Sequence, residues 1–74
     1  MTRARHGGER VWRARKNYTW IDAEIHTSDA GVELQFFYDG SLVLSRTWPR
    51  REDAVAHANQ QLRGLQRAGW NAHW

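Results

Sequence analysis

Four histidines, eight carboxylates and a large set of arginines are the residues here whose chemistry reaches beyond packing. His6, His26, His57 and His73 are scattered, and no two have the helical or loop spacing of a metal-ligand pair. Cysteine is absent, which excludes thiolate zinc sites and disulfides alike. Asp53 and His57 stand four apart, the spacing of a helix-surface pair. Asp22 and Glu24 share one strand face, with Glu33 expected across from His26. Acid–base work by such groups needs a concave, partly dry site to shift a pKa. One sheet face and one helix supply little concavity, and Gly7-Gly8 lacks the pattern of a phosphate loop. The expectation is a non-enzymatic protein with no catalytic residue, no cofactor and no metal.

Charge is segregated along the chain. Residues 1–17 carry Arg3, Arg5, Arg10, Arg13, Arg15 and Lys16 against Glu9, a local +5. Residues 18–45 hold five carboxylates and no basic residue, and residues 46–74 return to +3, giving +3 overall. Ten of the eleven cations are arginine. A GC-rich genome explains that bias, and so does planar recognition of phosphate or carboxylate. The arm cations, with Arg46, Arg50 and Arg51 at the strand-to-helix junction, form a candidate nucleic-acid-binding set for DNA or RNA backbone, of weak and salt-sensitive affinity.

Five tryptophans in 74 residues are unusually many. A small domain buries a modest fraction of its surface, and large aromatics build a core from few positions. The outer sheet face is expected to show Tyr18, Trp20, Phe37 and Val43 among carboxylates, which disfavour phosphate. These four are the candidate protein interface, for another protein or for self-association, unless the arm or Asn71-Ala-His-Trp74 covers them; an open edge strand is the alternative contact.

The elements that must position these groups follow from periodicity. Tyr18–Thr27 alternates, with Ile21, Ala23 and Ile25 on one side. Val32, Leu34 and Phe36 alternate again, Asp39-Gly40 marks a hairpin, and Ser41–Trp48 returns. A bulged turn at Phe37–Gly40, pairing 36 with 42 and 34 with 44, places Leu42 and Leu44 with the other apolar residues. Residues 10–16 read either as a first strand with Trp12 and Ala14 inward or as the end of an arm; Val11 and Trp12 favour the strand. After Pro49 a helix runs to about Ala68, with Ala54, Val55, Ala58, Leu62 and Leu65 on one face. Gly69 and Trp70 suit the C′ and C″ positions of a Schellman ending, with Leu65 at C3.

The fold class is therefore α+β: an antiparallel meander of three strands, or four, with one C-terminal helix packed on one face. The predicted core is Ile21, Ala23, Ile25, Val32, Leu34, Phe36, Leu42, Leu44, Val55, Leu62 and Leu65, with Trp48 and Trp70. Residues 1–9 are expected to be a disordered basic arm and 10–74 one small domain. No stretch has the length of a membrane span or the apolar core of a signal peptide, so the expected compartment is the cytoplasm, with no membrane partner.

The run Ser45-Arg-Thr-Trp-Pro-Arg-Arg-Glu-Asp-Ala54, the alanines at 56 and 58, and Leu62, Leu65 and Gly69-Trp70 resemble short uncharacterised bacterial proteins. Those combine a Tyr/Asp-Gly hairpin with a helix ending in Gly-Trp. The resemblance covers about residues 20–70 and implies no activity. The helix is also distantly similar to the tryptophan-glycine-arginine type of DNA-associated domain, although the triplet that names that family does not occur here. That likeness implies association with nucleic acid. The charge segregation places a nucleic-acid-binding module narrowly first and a protein-interaction or homodimerisation module second.

Overall fold

A computed structural model describes residues 8–73. Five strands and one helix follow in the order β1 (Glu9–Lys16), β2 (Thr19–Ser28), β3 (Gly31–Tyr38), β4 (Ser41–Trp48), α1 (Arg51–Arg67) and β5 (Asn71–His73). The strands form one antiparallel sheet in the order β4-β3-β2-β1-β5. The architecture is thus α+β, as the periodicity predicts, but with five strands in place of three or four. Residues 10–16 lie within β1, with Trp12 and Ala14 fully buried. The expected arm, residues 1–9, lies largely outside the described residues. Its last member, Glu9, opens β1 opposite Ile25 and pairs with Arg51 of the helix at 2.6 Å.

The fifth strand escapes the sequence because three residues are too few to show an alternation. Arg13, Ala14 and Arg15 pair with His73, Ala72 and Asn71, so the C-terminal segment extends the sheet beyond β1.

Cross-strand rows explain the core. On the helix side, Trp12 lies beside Ala23, then Phe36, then Leu44; Ile25 lies beside Leu34, then Arg46; Val32 lies beside Trp48. Ala23 is small where its neighbour Trp12 is large. The helix meets the same need from above with Ala54 and Ala58, both fully buried, whose short side chains let its backbone close on the indole. Trp12 Nε1 donates to the Ala58 carbonyl at 2.8 Å, so the largest buried side chain is also polar-satisfied.

The β3–β4 register corrects one expectation. Asp39 (φ 50°) and Gly40 (φ 86°) are both left-handed, as a two-residue type I′ loop requires, and Tyr38 pairs with Ser41. The bulge comes later: Phe37 faces Leu42 but Phe36 faces Leu44, leaving Val43 as the extra residue. Val43 and Leu44 both line a hollow with Phe36, Tyr38 and Gln61 of the helix, so Val43 belongs to the helix side and not to the outer face. Leu42 and Leu44, expected in the core, are 52% and 53% exposed. The bulge turns Leu42, opposite Phe37, to the outer face, and Leu44 stands on the outermost strand, at the margin of the helix's cover.

The helix ends as its local signals require. Gly69 (φ 99°) donates to Gln66 O at 3.1 Å and Trp70 to Leu65 O at 3.0 Å, the two bonds of a Schellman motif. Lys16 Nζ adds a 2.8 Å bond to the Ala68 carbonyl, placing a cation at the negative end of the helix dipole.

Candidate interaction surfaces

The cations of the basic set do not converge. Arg3 and Arg5 lie outside the described residues. Arg10 stands opposite Glu24 on the outer face. Arg13 bonds Asp22 through Nε at 2.6 Å and Nη2 at 3.2 Å. Arg15 lies over the Trp20 ring and donates to Asn17 O, while Lys16 caps the helix. At the junction Arg50 approaches Asp53 at 3.4 Å and Arg51 takes Glu9. Arg46 projects on the helix side, its guanidinium 4.5 Å from the Trp48 ring centroid.

The outer face is laced with charge and is not a continuous aromatic patch. Trp20 packs under Arg13 and Arg15, at 4.8 and 5.2 Å, and meets His73 edge-on at 5.4 Å. Asp22 is buried there although it carries a carboxylate, because Arg13 covers it. That bond is the main cause that raises the Arg13 pKa above its ordinary value, with desolvation acting the other way. Removing the arginine strands a buried carboxylate. Arg13→Ala should lower the stability read from urea unfolding by about 1–2 kcal/mol, the arginine being partly solvent-screened, with less loss in Arg13→Lys. Phe37 is half-buried between Asp22 and Leu42 in the same cross-strand row. Tyr18 sits alone at the β1–β2 turn, 91% exposed.

The histidines also separate. His26 pairs with Glu33 across the strands as expected, and Gly8 packs against its imidazole. His57 stacks on Trp48 at 5.0 Å rather than pairing with Asp53. Among the described residues no three His, Asp or Glu side chains gather as metal ligands, and no helix is long and apolar enough to cross a membrane.

What remains is an open edge strand, as a meander leads one to expect, with a helix-side neighbourhood that the residue pattern alone does not reveal. β4 is an edge strand of eight residues, exposed along almost all of its length. Its main-chain groups on one side have no neighbouring strand. On its helix side the groove between β4 and α1 holds two separate hollows: Ile21, Tyr38, Val43, Leu44 and Gln61 line an apolar one, and Trp48, His57, Gln60, Arg63 and Asp53 line an open, shallow one of about 570 Å³. By strand alternation Arg46 stands between the two. Comparison with known protein families, curated proteins and solved structures finds no match. The functional reading therefore rests on these surfaces.

Proposed function

We propose that this chain is a non-enzymatic interaction module that engages another protein through the β4 edge. The observation that supports this most is the exposure of Leu42, Val43 and Leu44, with Val43 at 62%, on a strand whose outer main-chain groups are unpaired. Edge strands of this length are usually protected by charge, proline or a covering element. Here the bulge and Arg46 are the only such devices between Ser41 and Trp48.

The basic arm supports the other reading, attachment to nucleic-acid backbone. It has less behind it, because the described cations are spread over both faces and four of them are engaged by carboxylates or by the helix end.

A photo-crosslinking residue placed at Val43, compared with the same residue at Tyr18 and Arg15, tests the proposal in living cells. A discrete protein product from position 43 that disappears with Leu44→Asp is the expected result. Crosslinks confined to positions 15 and 18, or to nucleic acid, would overturn it.

A further inference from the structure

We infer that the β4 edge takes an extended peptide with an acidic residue two places from an apolar one on either side. This rests on the proposed function and names the partner's chemistry.

The regular part of β4 begins after the bulge, so a strand added there pairs with Leu44–Trp48. Strand addition of this kind draws affinity from main-chain hydrogen bonds and specificity from alternate side chains. Residues opposite Leu44, Arg46 and Trp48 would face the helix side, roughly 6.6–6.8 Å apart. The first would meet Val43 and Leu44 at the rim of the apolar hollow, and the third the hollow of Trp48 and His57.

The middle position is set by charge. Arg46 has no carboxylate partner among the described residues, and its guanidinium carbon lies over the Trp48 ring, 4.5 Å from the centroid. Arg63 lines the same groove, whereas its one carboxylate, Asp53, is already approached by Arg50. A fork preorganised on an aromatic face is matched by a carboxylate. The remaining residues of the peptide, opposite Ser45 and Thr47, would lie on the outer side, where small or β-branched residues fit.

The same charge excludes two other occupants. A second copy of β4 contains no Asp or Glu between Ser41 and Trp48, and centring two copies on Arg46 sets arginine against arginine. Residues 1–7 are likewise without a carboxylate and carry two arginines.

Selection from a random seven-residue peptide library, against the wild-type chain and against Arg46→Glu, tests the inference. The wild type should enrich apolar-x-acidic-x-apolar sequences, and Arg46→Glu should replace the acidic position by lysine or arginine. A synthetic peptide of the wild-type class should bind Arg46→Glu and Arg46→Gln at least tenfold more weakly, like charges at this distance being unfavourable. Its amide shifts should centre on Leu44–Trp48, with both variants keeping the dispersed spectrum of the folded chain. Peptides that map to β4 but show no acidic preference would overturn this inference and leave the proposed function standing. Peptides that map elsewhere, no enrichment at all, or a dimer in light scattering that Leu44→Asp dissociates, would overturn the acidic-peptide partner. Of these, only the dimer would keep β4 as the interface.

Discussion

Trp12→Ala should leave most of the chain unfolded in water at 25 °C. Truncating a buried tryptophan costs about 3–5 kcal/mol, and a domain of this size rarely has more than about that in total. Trp12 is the node at which the cost is highest. It is fully buried beside Ala23, within 6.0 Å of Phe36, and under the alanine stripe of the helix, so nothing nearby is large enough to fill the void. Trp12→Phe separates packing from the hydrogen bond. The Ala58 carbonyl sits in mid-helix and also accepts its own i+4 bond, so losing the indole N–H does not orphan it. The cost should be about 1–2 kcal/mol, with a cooperative transition retained. Urea unfolding followed by circular dichroism distinguishes the two; a folded Trp12→Ala of near wild-type midpoint would show that the helix does not depend on this contact.

Gly31→Ala should be the costliest glycine substitution, about 2–4 kcal/mol. Gly31 has φ 126°, a conformation essentially reserved for glycine, and a Cβ there would lie 2.8 Å from the Trp48 carbonyl oxygen. Both the strain and the clash must be relieved by moving the end of β4. Gly40→Ala is the matched control. Its φ of 86° is also left-handed, but a Cβ there meets nothing within 4 Å, so only the backbone cost of about 1 kcal/mol remains. Urea midpoints should therefore rank wild type, Gly40→Ala, Gly31→Ala. Amide exchange at Thr47 and Trp48 should speed up in Gly31→Ala alone; equal behaviour of the two variants would remove the role given to the Trp48 contact.

Much of the fold was legible because it is locally encoded. β2 and β3 alternate since one of their faces is buried, and the helix ending is written in Leu65, Gly69 and Trp70. β4 was misread for a physical reason. Choosing the register that turns the most apolar residues inward puts the bulge at the turn. It lies instead at Val43 and sends Leu42 to the outer face, and the edge position of the strand leaves Leu44 half in water. β4 is an edge in any meander that ends with it; what has no local signature is the long-range pairing of β5 with β1 on the other side. An open edge strand was foreseeable as a contact surface, but its neighbourhood was not. Single residues such as Tyr18 and Trp20 could be named, but not the groove between β4 and α1, nor the ion pairs that draw Arg13, Arg50 and Arg51 away from a common face.

The helix that roofs Trp12 is made after all four strands of the meander. During synthesis the sheet's apolar face, with Trp12, Leu34 and Phe36, therefore emerges before its cover, and β5, which completes the other edge, emerges last of all. A nascent chain stalled near Pro49 would present a sheet with both edges open and one greasy side, the kind of species that chaperones bind and that aggregates when they are scarce. The last twenty-odd residues thus act late in time as well as in sequence, turning an adhesive intermediate into a domain whose apolar face is roofed while β4 stays a bare edge.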